Sequence, residues 1–537
     1  MSRIDPMPPE GGAPVSAGPA APHRRLALKA GIAALAPWPA GVAAHRAAAP
    51  ARDALRVVGP WELSSLDPLR SGYLFSRMQV TETLVDYDAA GKPAPGLAAG
   101  WQVSADGLQW RFALQPGARF HDGTPVTAGH VVASLQRARH AAGVLRHAPI
   151  VAIEADRSDP AALTVRLSRP HAPLPALLSH SSTQVLAPAS FGPAGEVRAV
   201  IGSGPYRIDL LEPPQRFGIV AFEQWRGAMP AVRRAGYLSV GRAEMRALMA
   251  ESGQADLAYG LDPGSIARLR RHPAVRLHEV TIPRTTLLKV NAGHPLLADP
   301  RARQALSLAL DRRGIAGAIL RDPGLAATQL FPDILDGWHV PTLPPLAHDL
   351  ARARALLAQL GWRAGADGML SRDGQPFAIT LRTFPDRPEL PVIATAIQEQ
   401  WRLIGVRVRV AIGNSSDIPF AHRDGTLEVG LMARSYGVVP DALGTLAQDF
   451  AGRGGDWGAM NWSDARVSAA LAALPGTTDP ARAAALRSQV ATTLQQALPL
   501  IPVVWYRQSL AASPALAGVS IDPFERSYRL TELQRLA

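Results

Sequence analysis

The run Gly96-Leu97-Ala98-Ala99-Gly100-Trp101-Gln102-Val103-Ser104-Ala105-Asp106-Gly107-Leu108-Gln109-Trp110-Arg111-Phe112-Ala113-Leu114-Gln115-Pro116-Gly117-Ala118-Arg119-Phe120-His121-Asp122-Gly123-Thr124-Pro125-Val126-Thr127-Ala128 packs several structural signals into 33 residues. Trp110-Arg111-Phe112-Ala113-Leu114 alternates strictly between large apolar and other side chains, which predicts a half-buried strand. Asp106-Gly107 lies just before it and reads as a hairpin turn, because both residues tolerate positive φ. Thr127 is placed to cap a helix running to Arg139. His121-Asp122 stands directly before Gly123-Thr124-Pro125, where a turn-stabilising pair is the reading rather than a catalytic one.

Outward from this run the pattern repeats. Short apolar runs such as Leu55-Arg56-Val57-Val58-Gly59 alternate with helical segments at 244–251, 302–311, 350–360, 390–404 and 481–497. Asp349 suits an N-cap with Gly361 at the far end of its helix, and Asp373-Gly374 reads as a second hairpin turn. Strands and helices alternate without a fixed period, which predicts an α/β protein of several lobes and excludes a repeat array.

The chain has 537 residues, 47% of them hydrophobic and 19% charged, enough for two to four domains with large cores. It has no cysteine, so disulfides, thiolate metal sites and thiol nucleophiles are excluded. The formal charge is +12, and only Lys29, Lys92 and Lys289 are lysines. The arginines are scattered among acidic residues instead of forming a basic stripe with interleaved aromatics, so a nucleic-acid partner is not expected.

Residues 1–22 are rich in Pro, Gly and Ala. Arg24-Arg25-Leu26-Ala27-Leu28-Lys29 then leads into an uncharged stretch ending at Val42-Ala43-Ala44, the three-part pattern of an export signal. The adjacent arginines resemble the twin-arginine motif, so residues 1–44 are expected to direct export to the periplasm. Those residues carry four basic and two acidic groups, so their removal takes +12 to +10.

Signatures of common enzymes are missing. There is no His-Glu-x-x-His, no Walker loop and no Gly-x-Ser-x-Gly elbow. Gly202-Ser203-Gly204-Pro205 cannot serve as a phosphate loop, because Pro lacks an N–H and no Lys follows. The 14 histidines form no ligand-spaced cluster, so no resident metal or cofactor is expected.

Gly96 to Ala128 resembles the signature of the extracellular solute-binding proteins, family 5, the peptide- and nickel-binding subunits of ABC importers. Further similar blocks follow in order: Gly202-Ser203-Gly204-Pro205-Tyr206, Gly253 to Leu257, Asn291 to Leu306 with Asp311-Arg312, Asp349 to Trp362, Gln398 to Val408 and Pro499 to Val503. The resemblance covers about residues 55–537.

It implies a periplasmic-binding-protein-like bilobal α/β fold with an additional subdomain, two mixed-sheet lobes joined by a double-crossover hinge. Residues 45–90, 205–285 and 500–537 are expected to form lobe I, 91–204 its extra subdomain, and 286–499 lobe II. The crossings are expected near Ile282–Asn291 and Gln495–Ile501. The implied activity is capture of a small solute in the cleft and delivery to an inner-membrane ABC permease with its ATPase, by a monomer that is not an enzyme.

The ligand stays open between a short peptide or peptide-like solute and a nickel or other metal chelate. A secreted hydrolase without a recognisable motif and a binding-only receptor on the same fold are further alternatives. The segments Arg423 to Thr426, Leu431 to Gly437 and Pro440-Asp441 resemble the nickel-binding branch, which implies Tyr436 as an aromatic cleft wall. Against nickel, Asp449 to Met460 contains no His, and Leu178 to Gln184 lacks the arginine expected before Ala187-Pro188. For a peptide, Asp441 resembles the family position that meets the α-amine, with Arg434 a candidate for the carboxylate end. Trp457 is a candidate apolar wall. The nickel-binding branch also implies an arginine of the first subdomain that pairs with a ligand carboxylate, for which Arg139 is the candidate.

Overall fold

Leu55–Gly59 (β1) is the first strand in a computed structural model that describes residues 54–536 apart from 142, 147, 386, 451 and 453. The expected export signal lies outside the described residues. After a short pair of strands, Val85–Tyr87 and Pro93–Pro95, come β2 (Ala98–Val103), β3 (Gln109–Leu114), β4 (Ile150–Ala155) and β5 (Ala162–Leu167), an antiparallel sheet in the order β2-β3-β5-β4. On β3 the expected alternation is present: Trp110, Phe112 and Leu114 are buried and the residues between them exposed. Asp106-Gly107 forms the turn between β2 and β3, with Gly107 at φ +71°. Thr127 caps the helix Ala128–His140, and its N–H donates to His130 Nδ1. That helix lays Val131, Leu135 and Ala138 into the same core.

The other local signals hold as well. Asp349 accepts from the Arg352 N–H at 2.9 Å and starts the helix Leu350–Gln359. Asp373 and Gly374 sit at φ +52° and +75°, the left-handed pair of a two-residue hairpin turn. Asp122 Oδ1 accepts from both the N–H and the hydroxyl of Thr124, so the His121-Asp122 pair does build a turn.

The other strands of the main sheet are β6 (Tyr206–Glu212), β7 (Arg216–Ala221), β8 (Arg234–Ser239), β9 (Leu257–Tyr259), β10 (Arg276–Val290), β11 (Ala378–Thr383), β12 (Arg407–Ile412), β13 (Val429–Ser435) and β14 (Leu500–Ala512). With β1 they form one ten-stranded mixed sheet in the order β12-β11-β13-β10-β14-β9-β1-β8-β7-β6. The two longest strands, β10 and β14, run antiparallel at its centre and belong to both lobes. Their pairing is irregular at Ile282/Thr285, opposite Tyr506 and Trp505. On one side of that break lies the largest apolar cluster, from Leu287 to Val504. On the other side, two clusters cover the two faces of β1, β9 and their neighbours. A fourth belongs to the subdomain, from Leu84 to Ala187.

The first part of β14, Leu500 to Val504, is buried and packs in the cluster that begins at Leu287, whereas Leu510 and Ala512 near its end pack in the cluster on β1.

Candidate functional site

A cavity of about 920 Å³ draws its walls from distant parts of the chain. One wall comes from the helix Tyr73–Arg77 and the segment after it, up to Asp88. The end of β13 contributes Ser435, and Gly437 and Val438 follow. Residues from Asp522 to Glu532 form much of a further wall. The Gly202-Ser203-Gly204 block braces the first wall from behind. A Cβ on Gly202 would sit 2.2 Å from the Val80 carbonyl oxygen, and one on Gly204 2.2 Å from that of Gln79, so only glycine lets the two backbones approach this closely.

Guanidinium–carboxylate pairs dominate the cavity lining. Arg226 makes two hydrogen bonds to Glu82, at 2.9 and 2.5 Å, and lies 4.2 Å from the Trp225 ring centroid. Arg526 pairs with Asp86 at 2.5 Å and covers Tyr87. Arg77 Nε donates to the Glu525 backbone carbonyl at 2.6 Å, and its guanidinium lies 4.0 Å from the Trp61 ring centroid. Its Nη1 has no hydrogen-bond partner among the described residues. Arg284, at the break in β10, donates to the Glu525 carboxylate at 2.8 Å. Burial pushes the Glu525 carboxyl up, but Arg284 and Arg77 outweigh it and hold it below the usual range. At Glu82 burial wins over Arg226, and the carboxyl is pushed up. His180, also in the lining, is taken down to about 4 by burial and by Arg526, so its ring is neutral at pH 7.

The five residues singled out from the sequence do not gather around this cavity. Tyr436 is fully buried (0% exposed) and packs edge-to-face on Phe331 at 5.3 Å. Its N–H donates to the Pro283 carbonyl, and its hydroxyl has no partner among the described residues. It is the neighbours Ser435, Gly437 and Val438 that face the cavity. Arg434 is held by two hydrogen bonds to Asp449, which is 2% exposed, on the helix Leu443–Phe450. Trp457 packs against the core of the larger lobe. Arg139 donates to the carbonyls of Ile150 and Val151, tying its helix to β4. Asp441 lines a second, smaller cavity of about 180 Å³, which shares Tyr87 and Phe524 with the first.

Sequence reading missed the helix Tyr73–Arg77 and the segment Asp522-Pro523-Phe524-Glu525-Arg526-Ser527-Tyr528-Arg529. The signal available was that segment's density of charged and aromatic residues, of which Tyr528 packs inward on Tyr259 while Glu525 and Arg526 line the cavity. Among the described residues no group of three His, Asp or Glu side chains could hold a metal ion.

The sequence profile described as Bacterial extracellular solute-binding proteins, family 5 Middle, matches residues 92–457. The chain belongs to this family. The nickel-binding periplasmic protein of Escherichia coli K12 is 26% identical over 499 residues, 89% of this chain and 93% of its own length. The glutathione-binding protein GsiB of Salmonella typhimurium is 24% identical over 501 residues, 90% of this chain and 95% of its own. Among solved structures, NikA from Brucella suis in complex with Fe(III)-EDTA superposes with a TM-score of 0.82 at 24% identity, covering 90% of this chain and 99% of NikA. The oligopeptide-binding protein AppA from Bacillus subtilis, in complex with a nonapeptide, superposes with a TM-score of 0.72 at 18% identity, covering 90% of this chain and 99% of AppA. The bilobal fold expected from the sequence is the fold these family 5 proteins share.

Proposed function

We propose that this family 5 protein is the solute-binding subunit of an ABC importer, works in the periplasm as a monomer, and captures a short, zwitterionic peptide. The observation that carries the peptide reading is the 920 Å³ cavity with groups of both signs in its lining. Arg77, Arg226 and Arg526 alternate there with Glu82, Asp86 and Glu525, between the aromatic faces of Tyr73, Trp225 and Phe524. The size lies within the range of small-ligand pockets. A solute with both an ammonium and a carboxylate exchanges partners with such pairs and leaves no buried charge alone. Of the residues proposed from the sequence, Asp441 stands nearest to this role, in the adjoining cavity, and Tyr436 backs the segment that faces the larger one.

A metal chelate is the second reading, favoured by the 26% identity to a nickel-binding protein. The metal would then arrive inside its chelator, whose carboxylates the arginines would meet. Delivery to an inner-membrane permease with its ATPase follows from the family. Export by the twin-arginine route rests on Arg24-Arg25 alone and is tested by N-terminal sequencing of periplasmic protein together with a Lys-Lys replacement, which would block export by that route.

Native mass spectrometry of protein purified from its own periplasm tests the ligand. Release of a short peptide supports the reading. Release of a metal complex replaces it with the second reading, and turnover of a peptide or ester library would make the chain a hydrolase.

A further inference from the structure

His180 stands at the head of the turn Ser181–Thr183, half-buried in the lining of the 920 Å³ cavity. Its Nδ1 accepts the Ser182 N–H at 3.1 Å, with the Ser182 hydroxyl oxygen 2.8 Å away. A backbone N–H can only donate, so Nδ1 carries no proton and the N–H of the neutral ring lies at Nε2. Among the described residues Nε2 has no hydrogen-bond partner, and it escapes the burial that seals the unpartnered Nδ1 atoms of His121 and His171. The backbone here is fixed as well, because the His180 carbonyl accepts from both the N–H and the hydroxyl of Thr183 at 2.8 Å. The ring is thus held in one orientation and one tautomer, with an open donor. Its polar neighbours are engaged. Ser179 Oγ donates to the Ala176 carbonyl at 2.9 Å, and Arg526, the cation whose charge acts on the ring, is paired with Asp86 at 2.5 Å.

We propose that His180 is a specificity-determining residue of the cavity and that its Nε2–H donates to a neutral carbonyl oxygen of the solute, an amide of a peptide backbone. A solute carboxylate finds stronger partners in the guanidiniums of Arg77, Arg226 and Arg526, since a charge-assisted hydrogen bond is about twice as strong as a neutral one. A fixed, uncharged donor among engaged ion pairs suits an acceptor that has no charge either. An enclosed peptide has to pair its amide carbonyls, because one left bare out of water is costly. The inference rests on the peptide reading and adds to it a residue that reads the peptide bond itself, whatever the side chains. A free amino acid, which has no amide, gains nothing from the contact.

Two substitutions separate the two ring nitrogens. His180→Asn keeps an acceptor where Nδ1 meets the Ser182 N–H and removes the Nε2 donor. His180→Gln puts an amide N–H near the position of Nε2 and gives up the bond to Ser182. The probe is trialanine, which has two amide carbonyls and side chains too small to select, titrated calorimetrically into the intact protein at pH 7. His180→Asn is expected to weaken binding by about fivefold or more with the melting temperature nearly unchanged, and His180→Gln to hold affinity within about twofold while melting earlier. Nitrogen NMR of the histidine rings gives a second readout: the Nε2 resonance that His180→Asn removes should shift when trialanine binds. Affinities that follow the melting temperature in both variants, no loss in either, or an Nε2 resonance that stays in place overturns the assignment and leaves the peptide reading standing. If trialanine does not bind, the assignment falls, and the peptide reading falls with it only when protein from the periplasm also releases no peptide.

Discussion

Arg284 donates to Glu525 at 2.8 Å, and the two residues are 241 positions apart in the chain. Arg284 sits at the break in the β10–β14 pairing, and Glu525 lines the larger cavity. One buried ion pair therefore joins the central strand to the cavity lining, with Arg77 as a second cation on the same loop residue. Glu525→Gln leaves two guanidiniums without a counter-charge. It is expected to lower unfolding stability by about 3 kcal/mol, within the range for breaking buried pairs, in urea titrations at pH 7. The native carboxyl is held below its unfolded range, so its contribution is complete at neutral pH and is lost as pH falls through the native value. The destabilisation by Glu525→Gln should accordingly shrink in acid.

Burial takes His121, His171 and His180 each down to about 4, from 6.5 in an unfolded chain. Between those values the unfolded state binds protons that the native state does not. Stability should fall as pH drops below 6.5, by up to about 1.4 kcal/mol per pH unit for each histidine, and level off below 4. His121→Gln should flatten that slope by roughly one histidine's share, a difference that urea titrations at half-unit steps of pH resolve.

Tyr436→Phe keeps the ring on Phe331 and removes a buried hydroxyl that has no partner among the described residues. Stability should stay unchanged or rise by up to about 1 kcal/mol, because an unsatisfied polar group is lost. A drop of more than about 1 kcal/mol in thermal unfolding would show that the hydroxyl has a partner in solution.

Arg434→Ala strands Asp449, whose burial already pushes its carboxyl up. A loss of about 3–5 kcal/mol is expected, read from the urea midpoint. If Arg434 instead served the solute, stability would hardly change and affinity would collapse.

Gly202→Ala drives a Cβ to 2.2 Å from the Val80 carbonyl oxygen. Backbone has to shift, at a cost of about 1–3 kcal/mol. The cavity wall from Gln79 to Thr83 shifts with it, so solute affinity and melting temperature should fall together.

Much of the fold was legible because its signals are local. Thr127, Asp349, Asp106-Gly107 and the alternation at Trp110–Leu114 each act within a few residues of chain. The cleft was not legible in the same way. Arg226 finds Glu82 144 positions away, and the cavity joins Tyr73–Asp88 to Asp522–Glu532, which no local pattern connects. Arg434 and Arg139 looked free because a sequence shows a charge without its partner. One is neutralised by Asp449, and the other is bound to backbone carbonyls. Asp441 was proposed from the family's motif, and the residues that line the same cavity with it, Arg487 and Trp338, come from other parts of the chain.

The sharing of β14 by both lobes bears on how the protein is made. This strand is the central partner of β10 along nearly its whole length and also pairs with β9. Neither half of the sheet has all its strands until β14 has been synthesised, more than 200 residues after β10, so no lobe can finish folding and wait for the other. Such long-range pairing makes for slow folding. The two lobes should unfold in a single cooperative transition, not one after the other.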